Sequence, residues 1–179
     1  MEIILKSLYL ILPGILANMA PVIFKRINFL NYPIDFNKTL NEKPIFGNHK
    51  TYRGLFFGII FSILIVLIQR KLHAYEFFEN ISLINYQNVN ILLLGFLIGF
   101  GVLFGDLTKS FFKRRLNIKP GERWFPFDQL DSLIGGLVFV SFVYTPPLEI
   151  ILILIIMAIG LSIFTNYLGY KLKLKDTRW

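Results

Sequence analysis

Five long apolar runs constrain this chain more than any other feature of its sequence. They cover residues 3–24, 55–69, 91–108, 127–145 and 148–170. A helix rises 1.5 Å per residue, so about 20 residues cross the ~30 Å hydrocarbon core of a bilayer. The second run reaches this length when Tyr52, Arg53 and Arg70 extend it, because arginine places its charged end at the interface. The sequence therefore predicts an all-α, polytopic membrane protein with five transmembrane helices.

The composition agrees with a membrane protein. Hydrophobic residues make up 55% of the chain and charged residues 17%, whereas a soluble domain carries about 25% charged residues. Cysteine is absent, which excludes a disulfide framework, a thiolate zinc site and a cysteine nucleophile. We find no linker and no internal repeat in the 179 residues, so we expect one integral-membrane domain over 1–179. The first run is too long for the apolar part of a removable signal peptide.

The basic residues predict how the helices are oriented. The chain has 19 Lys and Arg against 11 Asp and Glu, a net charge of +8. Three segments between or after the runs hold most of the basic residues: Lys25, Arg26, Lys38, Lys43, Lys50 and Arg53; Lys109, Lys113, Arg114, Arg115, Lys119 and Arg123; Lys171, Lys173, Lys175 and Arg178. With five spans all three segments lie on one side, which the positive-inside rule makes cytoplasmic. The N-terminus is then outside, the C-terminus is cytoplasmic, and the charge indicates membrane topology rather than a nucleic-acid partner.

Glycines at four-residue spacing mark the third run. The glycines of the third and fourth runs are Gly95, Gly99, Gly101, Gly105, Gly135 and Gly136. Small residues at this spacing let two helix backbones approach closely. The pattern favours packing within the bundle; the alternative is a homodimer formed through one of these faces.

One acidic residue interrupts the third run near its end. A carboxylate within a membrane costs about 2.5–3.5 kcal/mol on insertion scales, so Asp106 should have a partner or a role. On a continued helix Asp106, Ser110, Lys113 and Arg114 share a face. Arg115 points about 100° further round and is expected to contact lipid head groups. The alternative is a basic collar with one structural ion pair.

A second acidic pair opens the fourth run. Asp128 and Asp131 are three residues apart, so both carboxylates lie on one helix face near its positive end. With Asp106 they form a set of three carboxylates, and Mg²⁺ prefers such oxygen ligands together with substrate phosphates. The alternative is an N-cap at Asp128 and a helix-dipole partner at Asp131.

The start of the second run suits a phosphate. Lys50, Thr51 and Arg53 cluster there between two glycines, where free backbone N–H groups and cations attract anions. The alternative is that both cations only orient the helix. His49 is expected to hydrogen-bond at the interface rather than to act as a catalytic base.

Cations for phosphates and carboxylates for Mg²⁺ thus gather at the cytoplasmic membrane face. Nucleotidyl transfer to a lipid phosphate fits these groups best, because such reactions depend on positioning and charge neutralisation. A small membrane transporter would need polar residues through the middle of several spans, which are almost wholly apolar here. A non-catalytic scaffold would give the converging charges no purpose.

Several motifs, in this order, resemble the CDP-archaeol synthases. They are Asn18-Met19-Ala20-Pro21, Pro33-Ile34-Asp35, residues 45–54, Gly105-Asp106, Ser110 to Arg115, and Asp128-Gln129-Leu130-Asp131 followed by Gly135. The set spans almost the whole chain and is distantly similar to the phosphatidate cytidylyltransferases. The linker 119–127 is more aromatic and charged than the family pattern.

The resemblance implies five transmembrane helices and a Mg²⁺-dependent, multi-pass cytidylyltransferase of the cell membrane. Its substrates would be CTP and 2,3-bis-O-(geranylgeranyl)-sn-glycerol 1-phosphate, and its products a CDP-archaeol precursor and pyrophosphate; diacyl phosphatidate remains the alternative lipid. We predict Asp106, Lys113, Arg114, Asp128 and Asp131 as catalytic, with the three aspartates holding Mg²⁺. The predicted substrate-binding residues are Lys50, Thr51, Arg53, Lys109, Ser110 and Gln129. Apolar walls from the first, second and fifth spans are expected to receive the lipid chains.

Overall fold

The computed structural model describes residues 2–119 and 122–171. The fold is mostly helical, as predicted. Its helices are α1 (Glu2–Ile23), α2 (Tyr52–Leu72), α3 (Glu76–Asn80), α4 (Ile91–Arg115), α5 (Phe127–Val140) and α6 (Leu148–Lys171). Strands β1 (Thr39–Leu40) and β2 (Lys43–Pro44) pair in an antiparallel hairpin between α1 and α2. The sequence did not predict α3 or the hairpin, because both are too short to show a hydrophobic period.

Helix caps explain where two of the long helices begin. The Thr51 hydroxyl accepts the backbone N–H of Gly54 at 3.2 Å, so α2 starts at Tyr52, ahead of its apolar run. The Asn90 side chain accepts the N–H of Leu93 at 3.1 Å and caps α4. At its other end α4 continues past the apolar run to Arg115, as the polar segment after Asp106 predicts.

Helix α5 is shorter than the apolar run that predicts it. It ends at Val140, and turns follow before Pro146 and Pro147. Its 14 residues rise only about 21 Å at 1.5 Å each. Within the described residues, three helices (α1, α2 and α4) are long and apolar enough to cross a membrane, and α6 carries a shorter apolar stretch, Leu148–Phe164. The protein is thus membrane-embedded. The basic residues Lys173, Lys175 and Arg178 and the linker residues Pro120 and Gly121 lie outside the described part.

Helix α4 is the centre of the bundle and packs most extensively against α2 and α5. On the α2 side, a Cβ at Gly95 would lie 2.6 Å from the Cα of Ile63. A Cβ at Gly99 would lie 2.8 Å from the Cβ of Ser62. Only glycine therefore permits this approach, and the prediction that these glycines pack within the bundle is confirmed.

On its α5 side, α4 also relies on glycines for close helix packing. A Cβ at Gly101 would lie 2.6 Å from the carbonyl oxygen of Gly135, and a Cβ at Gly105 would overlap the carbonyl of Asp131. Both glycine faces of α4 are therefore used inside the chain, and neither is free to form the alternative homodimer contact.

Candidate active site

The close approach of α4 to α5 brings three carboxylates together. Gly105 touches the backbone of Asp131, so Asp106, the next residue of α4, lies beside the first turn of α5 with its Asp128. All three carboxylates contact the Nζ of Lys109, at 3.2 Å from Asp106 Oδ1, 3.5 Å from Asp128 Oδ1 and 2.6 Å from Asp131 Oδ2. The predicted convergence of the three aspartates is therefore present, and an ammonium lies where their oxygens meet.

Two further lysines complete this cluster. Lys113 pairs with both carboxylate oxygens of Asp128, at 3.0 and 3.1 Å, and also donates to the Glu122 carbonyl. Lys50, from the loop before α2, pairs with Asp106 Oδ2. The cluster thus joins α4, α5 and that loop at one end of the bundle, and we call these six residues the ion cluster. Its members are Lys50, Asp106, Lys109, Lys113, Asp128 and Asp131.

Asp128 does not cap its helix. The residue before α5 is Pro126, which makes no side-chain cap, and Asp128 lies within the first turn. Its carboxylate accepts the N–H of Trp124 at 2.6 Å besides binding Lys113. The alternative assignment of Asp128 as an N-cap is therefore wrong, and its carboxylate serves the ion cluster.

The donor set of the ion cluster fits a hard divalent cation, because three carboxylates supply oxygen ligands around one cationic atom. As they stand, no three acidic or histidine side chains in the described part of the chain are arranged to hold a metal. The shared cation of the three aspartates is Lys109. A metal bound by these carboxylates must therefore replace the ammonium.

The residues predicted to bind a phosphate at the start of α2 separate into two groups. Lys50, Thr51 and His49 line a cavity of about 50 Å³ that Asp106 also borders. Arg53 does not line it; this buried guanidinium donates from Nη1 to the carbonyl of Ile27 at 2.8 Å. Lys50 and Thr51 therefore adjoin the ion cluster, and Arg53 fixes the loop that leads to them.

The other predicted residues of α4 differ in their contacts. The Ser110 hydroxyl donates to the backbone carbonyl of Asp106 at 2.8 Å and is buried. Within the described part of the chain, Arg114 forms no ion pair with the three aspartates, and its Nε is buried without a hydrogen-bond partner. Both residues lie near the ion cluster because they are on the same helix as Asp106.

Arg115 holds the β-hairpin rather than facing lipid head groups. Its guanidinium donates to the carbonyls of Leu40 at 2.6 Å, Lys43 at 3.1 Å and Pro44 at 2.6 Å. Lys43 returns a bond from its Nζ to the Arg115 carbonyl at 3.2 Å. The expected head-group contact is replaced by a clamp that ties the hairpin to the end of α4.

A partly open apolar cavity of about 520 Å³ extends between the helices to Asp128 and Asp131 of the ion cluster. Its lining follows α5 from Asp128 to Val140, about 18 Å at 1.5 Å per residue. The remaining walls come from α1, α4 and α6, and in the described residues none comes from α2. Of the three spans expected to receive lipid chains, the first and fifth line this cavity, and the second does not. Gln129 also lines the cavity; it is 8% exposed and its Oε1 has no partner there.

Asp35 organises the loop before Lys50, a role that the sequence analysis missed. Its carboxylate accepts the N–H groups of Phe46 at 2.9 Å, Gly47 at 3.1 Å and Asn37 at 3.0 Å. Burial raises the pKa of Asp35, but these three bonds outweigh it and hold the pKa below its usual value. Gly47 has φ of +102°, which an L side chain rarely adopts. The signal available in the sequence was an aspartate in a loop rich in Asn.

Comparisons with known proteins agree with this arrangement. The profile of the family described as CarS-like, CDP-archaeol synthase, matches residues 1–179. The CDP-archaeol synthase of Methanocaldococcus jannaschii is 35% identical over 180 residues, 99% of this chain and 98% of that protein. That of Pyrococcus furiosus is 37% identical over 181 residues, with 100% of both chains covered.

A solved structure, described as that of an intramembrane enzyme for archaeal membrane lipids biosynthesis, has the same fold. It superposes with a TM-score of 0.72 at 26% sequence identity, covering 91% of this chain and 94% of that one. Both glycine-dependent helix contacts and the ion cluster thus lie in a fold already known for an enzyme inside the membrane. The chain belongs to the CDP-archaeol synthase family.

Proposed function

We propose that this protein transfers CMP from CTP to 2,3-bis-O-(geranylgeranyl)-sn-glycerol 1-phosphate. A phosphate oxygen of the lipid attacks the α-phosphorus of CTP, the bond to the bridging oxygen breaks, and pyrophosphate leaves. No general base is required, because a phosphate monoester is largely ionised near pH 7. The observation that carries the proposal is the ion cluster at the end of a partly open apolar cavity lined by α1, α4, α5 and α6.

The cluster offers the charges that this reaction needs. Asp106, Asp128 and Asp131 would hold Mg²⁺, which supplies charge neutralisation at the phosphates when bound. Lys113 and Lys109 lie among these carboxylates and pair with phosphate oxygens of the nucleotide. The other predicted catalytic and substrate-binding residues, Arg114, Ser110 and Arg53, keep supporting roles in this proposal through the helices that carry them.

In this proposal the two cavities bind different parts of the substrates. The apolar cavity receives one isoprenoid chain along α5 and leaves the lipid phosphate beside Asp128 and Gln129. Each buried CH₂ group contributes about 0.8 kcal/mol to such binding. The small cavity bordered by Lys50, Thr51 and Asp106 receives phosphate oxygens. A diacyl phosphatidate also carries a phosphate monoester, so recognition of the phosphate group does not distinguish the two lipids.

The proposal includes one domain over residues 1–179 with five membrane crossings and the ion cluster at the cytoplasmic face. Its support is that the basic loop before α2 contacts the basic end of α4, through Lys50 and Lys43. Cysteine labelling tests it, since the chain has no cysteine of its own. Asn80→Cys should react only from outside the cell and Lys38→Cys only from inside; the reverse pattern contradicts the topology.

The direct test of the reaction uses purified protein with radiolabelled CTP, Mg²⁺ and one lipid phosphate at a time. The expected product is a CDP-lipid from the geranylgeranyl ether phosphate, with release of pyrophosphate. The same assay with dipalmitoyl phosphatidate measures the alternative lipid. Transfer only to the diacyl lipid would change the assigned substrate, and no transfer to either would contradict the proposed function.

A further inference from the structure

The charges of the ion cluster balance without any added cation. Its ion pairs involve three carboxylates and three ammonium groups. The central side chains are poorly accessible: that of Lys109 is 16% exposed and that of Asp131 is 7% exposed. Water therefore screens these charges little, and a change of one unit charge has a large effect on what else binds there.

Lys109 differs from the other two lysines of the cluster. Lys50 contacts one of the three carboxylates, Asp106, and Lys113 contacts another, Asp128. The Nζ of Lys109 contacts all three. A divalent cation held by the same three carboxylates therefore competes with this one ammonium for the same oxygen atoms.

We infer that Lys109 is the built-in counter-cation of the three aspartates and leaves them when a divalent cation enters with the nucleotide. The inference rests on the metal ligands of the proposed function. A divalent cation alone would turn the neutral cluster positive, so the cluster binds it together with the anionic triphosphate and only weakly by itself. The displaced ammonium then pairs with phosphate oxygens of the nucleotide. Lys109 thereby couples metal binding to nucleotide binding.

The test measures Mn²⁺ binding to the purified, detergent-solubilised protein by electron paramagnetic resonance, with no nucleotide present. Wild type and Lys109→Arg, which keeps the charge, should bind Mn²⁺ weakly. Lys109→Met should bind Mn²⁺ at least about tenfold more tightly, because an uncompensated negative charge remains at short range. Lys38→Met removes an exposed lysine outside the cluster and should behave as wild type.

Thermal unfolding supplies a readout of the same charge balance. In EDTA, Lys109→Met should unfold at a lower temperature than wild type, and Mn²⁺ should restore it; Mn²⁺ alone should leave wild type unchanged. Adding Asp131→Asn to Lys109→Met rebalances the cluster, so the double variant should regain stability in EDTA and lose the gained Mn²⁺ affinity. If Lys109→Met alone fails to fold, the stability of this double variant in EDTA tests the charge balance instead.

Two results would overturn the inference: tight Mn²⁺ binding by wild type without nucleotide, or no gain of Mn²⁺ affinity in folded Lys109→Met. The CMP-transfer assay on the same preparations separates this inference from the proposed function. Active wild type that binds Mn²⁺ tightly without CTP contradicts the role of Lys109 alone. Inactive protein with the expected Mn²⁺ pattern contradicts the proposed reaction and leaves the counter-cation role intact.

Discussion

Two polar regions meet at one end of the bundle and use their charges in different ways. At the α4–α5 contact, Lys109 and Lys113 pair with side-chain carboxylates. In the loop between α1 and α2, the charged groups bind the main chain: Arg53 donates to a carbonyl, Asp35 accepts three N–H groups. Arg115 extends this second pattern to the hairpin.

The difference indicates that the first region takes part in the reaction and that the second region supports the fold. In an ammonium–carboxylate pair the ammonium can exchange its partner for a phosphate and the carboxylate can exchange its partner for a metal, whereas a guanidinium bound to carbonyls holds the fold in place. Lys50 is where the regions join, because the loop that Asp35 organises delivers its ammonium to Asp106. Substitutions at the α4–α5 contact should therefore abolish transfer, and substitutions in the loop should loosen structure first.

The largest expected effect comes from Asp131→Asn. Loss of one carboxylate of the proposed metal site should lower kcat/KM by about 10³-fold or more, because the metal that it would hold neutralises negative charge in the transition state. Asp128→Asn should behave alike. The measurement is steady-state CMP transfer at saturating Mg²⁺, with folding checked by size-exclusion chromatography. Glu149→Gln, an exposed carboxylate of α6, is the control; wild-type activity in Asp131→Asn would remove this residue from the site.

Gly105→Ala should be nearly as damaging although it removes no charge. The new Cβ would overlap the Asp131 carbonyl, and such overpacking costs about 1–3 kcal/mol and separates the helices. We expect a lower unfolding temperature and a large loss of transfer together. Gly160→Ala is the matched control, because a Cβ there has nothing within 4 Å. Equal behaviour of the two variants would show that the close helix contact does not position the carboxylates.

The sequence predicted much of the first region and little of the second, for a physical reason. Long apolar runs and glycine spacing are local patterns, so they indicated the helices and the convergence of Asp106, Asp128 and Asp131. The clamp of Arg115 joins residues that are 71 to 75 positions apart, and its partners are carbonyls, which every residue carries. A basic residue that binds carbonyls therefore looks the same in sequence as one that faces lipid or phosphate. The length of α5 was likewise overestimated, because apolar residues continue beyond the helix into the turn after Val140.

Two alanine variants compare a lysine that pairs with a carboxylate and an arginine that binds main-chain carbonyls. Lys113→Ala removes the ammonium that binds both carboxylate oxygens of Asp128 and should lower kcat by about 10²-fold or more. Arg115→Ala removes three bonds to the hairpin. It should expose residues 39–44 to proteolysis and reduce kcat by less than about tenfold. Kinetics and limited proteolysis on both variants check this; a larger kcat loss in Arg115→Ala would place that residue in the site.

The smallest expected effect is a pH dependence of the loop between α1 and α2. Because the pKa of folded Asp35 lies below its usual value, its ionised form stabilises the folded loop at neutral pH. That contribution is present above the unfolded pKa, about 3.9, and is lost as the pH falls through the lower folded pKa. We therefore expect the loop to open more readily below about pH 4.

Hydrogen exchange at the Phe46 and Gly47 amides tests this directly, since both donate to Asp35. After correction for the intrinsic rate, their protection should fall between pH 5 and pH 3 in wild type. In Asp35→Asn the free energy of opening at these amides should already be about 1–3 kcal/mol lower than in wild type at pH 5. It should not change with pH. Amides of Leu94 and Val66, in buried parts of α4 and α2, are the internal controls. Unchanged protection of Phe46 in Asp35→Asn would show that the carboxylate does not hold the loop, and Lys50 would then need another support to reach Asp106.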